Sequence, residues 1–233
     1  MKKLLFLALF SVAAFGQEVY ATFNIEAKKS ANLAFSAGGV VQSVNVDIGS
    51  QIKKGEVLAT LNSNDLKANL ELIKTELKYA KKDYARIKKA ASVIDKSQID
   101  KFAFKRDLAL AKIKVQKEQI EKTILKAPFD GVIFYKNIEV GDVVTGMNPK
   151  TLFKIQSSSD RKLIISYDQK WANVVKVGDT FRYKLSDSNT TKEVKITKIY
   201  PTIDTKSRKI IAEAKSSGEI VGMFGDGYIK VQR

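Results

Sequence analysis

The sequence predicts a mainly β protein that carries an α-helical coiled-coil hairpin: a flattened β-sandwich split by the hairpin, followed by a small antiparallel β-barrel. Three observations carry this expectation. A Gly-rich, β-branched segment recurs at an offset of 92 residues, from Gly39 to Gly131. An apolar seam with heptad spacing fills the stretch between the two copies. The last third of the chain is a series of short β-rich runs separated by turn residues.

The N-terminus comes first. Lys2 and Lys3 precede an apolar run over residues 4–15, broken only by Ser11, and Ala14-Phe15-Gly16 then supplies small residues. That run falls short of the ~20 residues needed to span a bilayer. Residues 1–16 therefore read as a cleaved signal peptide, with Gln17 as the mature start and the periplasm as destination. No Cys lies near the junction, so no lipid anchor is expected.

The residues that are missing narrow the function. The chain has no Cys and no His. Thiol nucleophiles, disulfides, His bases and His or Cys metal ligands are excluded, and Ser, Lys and carboxylates fall in no recognisable catalytic motif. No enzymatic activity and no cofactor are expected. The formal net charge is +16, or +14 without Lys2 and Lys3. Such a balance suits nucleic acid, an anionic membrane face or an acidic protein surface. Export removes nucleic acid from that set, and solvated lysines account for much of the charge.

The two repeat copies define the sandwich. Gly39-Val40-Val41 matches Gly131-Val132-Ile133, Asn45-Val46-Asp47-Ile48-Gly49 matches Asn137-Ile138-Glu139-Val140-Gly141, and Ile52 falls on Val144. Val44, Val46 and Ile48 alternate with polar neighbours, which predicts a half-buried strand. Gly49 and Gly55 flank a turn, and Val57, Leu58 and Leu61 form the next strand. Gly39, Gly49, Gly55, Pro128, Gly131 and Gly141 are the expected turn residues of the two halves. The halves are placed at residues 17–63 and 124–157.

Between the copies the period changes. Leu66, Leu70, Ile73, Leu77, Ala80, Tyr84, Ile87 and Ala91 are spaced 4-3-4-3-4-3-4, an unbroken a/d seam. Asn64 is the expected cap and Asp65 suits the helix dipole. The pattern weakens at residues 92–97. A second helix places Ile99, Ala103, Leu110, Ile113, Ile120 and Ile124 on one face, with Arg106 and Lys117 intruding on that register, and Pro128 ends it. Helices that leave and rejoin one sandwich are antiparallel, so residues 64–123 form a hairpin extending about 38 Å.

The third segment, residues 158–233, contains β-rich runs at 162–167, 180–185, 194–199, 210–214 and 227–231. Turns at Val177-Gly178-Asp179 and Ser186-Asp187-Ser188-Asn189 separate them. Five or six such strands predict a small barrel.

A sandwich split by a helical hairpin resembles the periplasmic adaptor, or membrane-fusion, family of tripartite efflux pumps, in which the sandwich is called lipoyl-like. Residues 39–65 (GGVVQSVNVDIGSQIKKGEVLATLNSND, read from Gly38) resemble the family's first half-motif. Residues 124–133, with the string Ala127-Pro128-Phe129-Asp130-Gly131, resemble its second. Residues 199–208 resemble the barrel motif, with Pro201, Asp204 and Arg208 as its marked positions, and Gly222-Met223-Phe224-Gly225 resembles that motif's end. The likeness covers roughly residues 31–231.

The resemblance implies partners. An inner-membrane transporter, of the resistance-nodulation-division type, and a TolC-type outer-membrane channel would be bridged by copies assembled around the channel, six in number. Members that dock on such channels carry Arg, Leu four residues on and Ser seven further. Arg86 and Ser97 keep that spacing, while Ala90 stands where the Leu would be. By the same likeness the membrane-proximal domain that members build from both chain ends is expected to be missing. A biotin or lipoyl carrier would share the sandwich, but the hairpin occupies its Lys turn. A metal-handling adaptor would use Met, His or Cys clusters, and only Met1, Met147 and Met223 are present. A basic coiled-coil protein binding cell wall or anionic lipid is the alternative from another class.

Overall fold

The computed structural model describes residues 17–185 and 190–231. The expected leader, residues 1–16, and the expected turn at Ser186, Asp187, Ser188 and Asn189 lie outside the described residues. The chain divides into two compact units, Ser30–Ser158 and the segments on either side of it. Among the described residues no helix is long and apolar enough to cross a membrane.

The central unit contains the repeat. Its first copy supplies β2 (Ser30–Leu33), β3 (Gly39–Val44), β4 (Gln51–Ile52) and β5 (Val57–Leu61). Helices α1 (Asn64–Lys89) and α2 (Lys96–Glu121) follow. The second copy supplies β6 (Ile124–Lys126), β7 (Gly131–Lys136), β8 (Val143–Val144) and β9 (Phe153–Gln156). These strands form two four-stranded sheets, β2-β9-β7-β4 and β6-β5-β3-β8. Their inner faces bury Phe35, Val41, Leu58, Leu61, Ile133, Phe153 and Ile155, the aligned sandwich packing expected when two half-apolar sheets meet.

The offset of 92 is a structural symmetry as well as a sequence match. Each sheet takes two strands from each copy, and the short strands cross over in matching places: Ile52 pairs with Gly131, and Val144 pairs with Gly39. The loop contacts repeat likewise. Gly49 N–H donates to Ile133 O at 2.8 Å, and Gly141 N–H donates to Val41 O at 3.0 Å. A single unit used twice thus gives two matching sheets, each interleaving strands of both copies.

One turn recurs throughout. In Asp47–Ser50 the fourth residue's N–H donates to the first residue's carbonyl at 3.0 Å, and the Ser50 hydroxyl accepts from Asp47 N–H at 2.9 Å. The same double closure occurs with Glu56 on Lys53, Asp142 on Glu139 and Asp179 on Lys176. The third residue is always Gly with φ between 85° and 101°, the left-handed value that side chains with a Cβ resist. Three of these turns lie in the sandwich and one in the barrel.

Two expected turn glycines do other work. Gly39 and Gly131 open strands. A Cβ on Gly131 would strike the Gln156 carbonyl, so this position is kept bare by a close backbone approach. Pro128 lies between β6 and β7, on the exposed bend before Asp130. The expected strand through Ile48 is also corrected: β3 ends at Val44, and Ile48 is exposed at the turn tip.

The second unit is a closed barrel ordered β1-β10-β13-β12-β11-β14. Its strands are β1 (Glu18–Ala27), β10 (Asp160–Asp168), β11 (Thr180–Leu185), β12 (Thr191–Asp204), β13 (Lys209–Ser217) and β14 (Phe224–Lys230). The placement of residues 17–29 with the sandwich is therefore corrected. Strand β1 closes the barrel by pairing with both β10 and β14. Val19, Ala21, Phe23, Ile25 and Ala27 point inward at the period of two that a half-buried strand requires. Inside, Phe23 meets Tyr183 edge-on at 4.8 Å and Phe181 stacks on Tyr183 at 5.6 Å.

The barrel motif forms a capped hairpin. Pro201 sits where β12 loses register with β13 between Ile199 and Ile203, a place where no N–H is needed. Asp204 Oδ1 accepts from Lys206 N–H and Ser207 N–H, each at 2.9 Å, which holds its carboxyl below the usual range. Arg208 closes the turn by donating its N–H to Asp204 O at 2.7 Å, with φ of 57°.

Candidate docking site at the hairpin tip

The hairpin begins at its base with a polar lock. Ser63 occupies the α1 cap position without a side-chain bond, and Asn62 Oδ1 accepts from Asn64 N–H at 3.0 Å instead. The expected cap, Asn64, is thus the donor in that bond. One turn in, Gln116 of α2 is buried against α1. Its Nε2 donates to Leu66 O at 2.9 Å and its Oε1 accepts from Asn69 Nδ2 at 2.8 Å. A buried amide with both ends used fixes register, since sliding by one turn would strand it.

Further out, α1 turns Leu66, Leu70, Ile73, Leu77, Ala80, Tyr84 and Ile87 toward α2, as the heptad spacing predicts. Ala91 is exposed and ends the pattern. The inward face of α2 differs from expectation. It consists of Ile99, Phe102, Ala103, Arg106, Ala109, Ile113, Gln116 and Ile120, whereas Leu110 is exposed. Helix α2 ends at Glu121, so that Ile124 lies in β6 and Pro128 beyond it. Arg106 is accommodated because its guanidinium lies 4.2 Å from the centre of the Tyr84 ring and bonds Asp107 at 2.7 Å. Ala109, fully buried, lets the helices approach at mid-seam.

At the tip, α1 ends at Lys89 with Arg86, Lys88 and Lys89 in its last turn, where cations offset the helix dipole. Arg86 is 78% exposed and bonds Asp83, one turn back on the same helix. Ala90 is the half-buried C-cap and donates its N–H to the Ile87 carbonyl, while Ala91 N–H donates to the Lys88 carbonyl. The connection then turns outward at Val93, which is 84% exposed. Asp95 caps α2 by accepting from Ser97 N–H at 2.7 Å, so Ser97 is the capped residue and its hydroxyl is exposed. Hydrogen bonds from Ser97 hold the Asp95 carboxyl below its ordinary range.

The three residues singled out by spacing therefore flank one connection: Ala90 before it, Ser97 after it and Arg86 a turn below on α1. No contact joins Arg86 to Ser97. Sequence reasoning passed over Val93 and Asp95. Asp two residues before Ser at a helix start was a readable cap signal, and a Val in a polar turn was the apolar one. The tip thus offers a forked cation, a hydroxyl and an apolar apex. None is tied into the seam: Arg86 bonds Asp83 on its own helix, Ser97 bonds the Asp95 carboxyl that caps α2, and Val93 stands bare at the apex.

Residues 29–156 match the family model described as the CzcB-like barrel-sandwich hybrid domain. The cobalt-zinc-cadmium resistance protein CzcB of Cupriavidus metallidurans is 33% identical over 133 residues, covering 50% of this chain and 26% of that one. An uncharacterised protein of Haemophilus influenzae is 26% identical over 212 residues, covering 86% of this chain and 54% of that one. The chain thus spans about half the length of one relative and a quarter of the other. In structure it is similar to a MacA–MexA chimeric protein that contains the Pseudomonas aeruginosa MexA α-hairpin. The TM-score is 0.86 at 21% identity, covering 93% of this chain and 82% of that one.

Proposed function

Because the chain belongs to the CzcB-like barrel-sandwich hybrid family of membrane-fusion, or periplasmic adaptor, proteins of efflux systems, we propose that it is the non-catalytic periplasmic linker of a tripartite pump. Its hairpin tip docks on a TolC-type outer-membrane channel, and its β units engage an inner-membrane transporter of the resistance-nodulation-division type. It reaches the periplasm by cleavage after Gly16. The observation that carries this reading is the tip. A hairpin locked at its base by Gln116 and closed along its seam ends in Arg86, Val93 and Ser97, three exposed groups that stand outside the seam.

Assembly of copies around the channel has its own support. On the outer face of α2, Phe104, Leu108, Ala111 and Val115 follow one another at 4-3-4 spacing, and Phe104 is 65% exposed. On the outer face of α1, Leu72 and Tyr79 lie seven residues apart and are exposed as well. A two-helix ribbon with different apolar stripes on its two edges suits head-to-tail contact, which gives a ring when the rotation between copies closes. The ring is six-membered by family resemblance.

The cargo is a toxic compound, a drug or, given the name of the CzcB relative, a divalent transition metal ion. Deletion should sensitise cells to one of these classes, and plates containing zinc, cobalt, cadmium or drugs identify which. Arg86→Asp should abolish the resistance that the wild-type gene restores, while leaving the protein folded and abundant. Full resistance with a folded, abundant Arg86→Asp protein would remove the tip from the docking site.

A further inference from the structure

Charge is distributed unevenly over the barrel. Strand β10 runs from Asp160 at one end to Asp168 at the other. Around the Asp160 end and along the walls, five cations are matched by carboxylates, although Lys184, Lys195, Lys198 and Lys215 form no ion pair among the described residues. Lys28 pairs with Asp160, Lys162 with Glu26 and Glu213, Arg182 and Lys230 with Glu193, and Lys192 with the buried Glu219. The Asp168 end is different. Lys170, Lys176, Lys206, Arg208 and Lys209 stand there, and none forms an ion pair among the described residues.

These five belong to one surface. Lys209 pairs across the sheet with Asp168, and Arg208 O accepts the Gln169 N–H at 3.2 Å, joining the β12–β13 hairpin to the 3-10 turn that carries Lys170. Val175, at the end of that turn, packs into the barrel core, and Lys176 and Val177 follow it. Three carboxylates of this rim accept backbone N–H groups; Asp179 is buried, while Asp168 and Asp204 stay exposed, as does Glu18. Asp168 accepts from Lys170 N–H at 2.9 Å, Asp179 accepts from Lys176 N–H at 2.8 Å, and Asp204 accepts from Lys206 N–H and Ser207 N–H. A fourth, Glu18, lies across from Lys230 on β14. The caps hold the loops while the cations point outward.

Aromatic and apolar groups share the rim. Trp171, the single Trp of the chain, is half-buried against the barrel core, with Lys170 Nζ 5.5 Å from its ring centre. Val177 and Ile203 are exposed on the neighbouring loops. Arg208 is the one non-glycine residue with positive φ among the described residues. A strained backbone that would suit Gly, yet carries an exposed guanidinium, puts the use of that position in its side chain.

We propose that this end of the barrel is a peripheral docking surface for a bilayer containing anionic phospholipid. The five cations meet the phosphate layer, Trp171 sits at headgroup depth, and Val177 and Ile203 enter the acyl boundary. Basic clusters gain from anionic headgroups roughly fivefold per cation, and indole prefers the interface where one end is apolar and the other wet. A protein partner would be expected to supply carboxylates in fixed positions. A lipid surface needs only cations in one layer around an aromatic anchor, which is what the rim presents. The surface is separate from the hairpin tip and does not rest on the tip's assignment.

The single Trp makes the test direct. Purified protein beginning at Gln17, which keeps every described residue, is mixed with vesicles of phosphatidylcholine and phosphatidylglycerol, and with vesicles of phosphatidylcholine alone. Sedimentation with the anionic vesicles only, a blue shift of Trp171 emission, quenching by brominated acyl chains and loss of binding at high salt are the expected results. The triple variant K206E/R208E/K209E should bind at least about 100-fold more weakly. K170E/K176E, on the other loop, should show a smaller loss in the same direction, and its melting curve checks folding independently. Binding that ignores phosphatidylglycerol, an unmoved Trp171 spectrum, or equal binding by both folded variants overturns the proposal. So does a triple variant that fails in cells while binding vesicles normally, since that result would assign the surface to a protein.

Discussion

The two helices of the hairpin have equal length and opposite habits. Each spans 26 residues. Helix α1 points its apolar residues inward in an unbroken row, and only Leu72 and Tyr79 are left on its outer face. Helix α2 points Arg106 and Gln116 inward and leaves Phe104, Leu108 and Val115 outside. The first helix therefore supplies the force for pairing, through burial worth about 1.5–3 kcal/mol per large aliphatic side chain. The second supplies register, through bonds that only one alignment satisfies, and keeps apolar surface for a contact outside the hairpin.

The sharpest way to break this contrast is the same substitution on the two faces. Ile73→Asp places a carboxylate at the buried position of the α1 seam and should destabilise the hairpin by about 3 kcal/mol. Phe104→Asp, on the outer face of α2, should change the stability of the single chain by no more than about 0.5 kcal/mol, while weakening association between copies. Thermal melts followed by far-UV circular dichroism, with sedimentation for assembly, read both effects. Equal destabilisation by the two would mean that the outer stripe belongs to the hairpin's own core.

A smaller effect tests the register lock. Gln116→Leu fills the same space but leaves the Asn69 amide and the Leu66 carbonyl without their partner, at about 1–2 kcal/mol. Adding Asn69→Ala should recover part of that loss, because one orphaned group is then gone. A double variant no more stable than Gln116→Leu alone would show that Asn69 contributes nothing to the lock.

These same residues explain what could be read in advance. The α1 seam was legible to its last turn because every inward position is apolar. The α2 seam was not, because Arg106 and Gln116 occupy inward positions, and apolar spacing alone favours Leu110, which is exposed. The repeat was legible because the Gly of each turn is fixed by backbone conformation. What the match could not show is that each sheet is built from two strands of each copy. Strand β1 has clear alternation in Val19, Ala21, Phe23 and Ile25, yet its partners β10 and β14 lie far along the chain. Nothing local tells a reader whether such a strand joins the barrel or the sandwich. At the tip, the family spacing drew attention to Ala90 and Ser97, while the exposed apolar group is Val93 and the cap is Asp95.

The smallest expected effect separates the two helix starts by pH. Helix α2 is started by a carboxylate: Asp95 accepts from Ser97, and those hydrogen bonds hold its pKa below the ordinary value. A depressed folded pKa means that the charged cap stabilises the folded state fully above the unfolded pKa. That contribution is lost as pH falls through the lower, folded pKa. Helix α1 is started by the Asn62 amide oxygen, which does not titrate. Acid should therefore loosen the hairpin at its tip and leave its base closed. Amide hydrogen exchange reads this site by site: protection at Ser97 and Gln98 should fall in acid while protection at Asn64 and Lys67 holds. The change is small, since Asp95 is exposed and one cap bond is at stake. In Asp95→Asn, which keeps an acceptor oxygen without a titrating proton, the pH dependence at the tip should flatten. If protection at the two starts fell together in the wild type, a general weakening of the coiled coil would be responsible, and the cap would have no separate part in it.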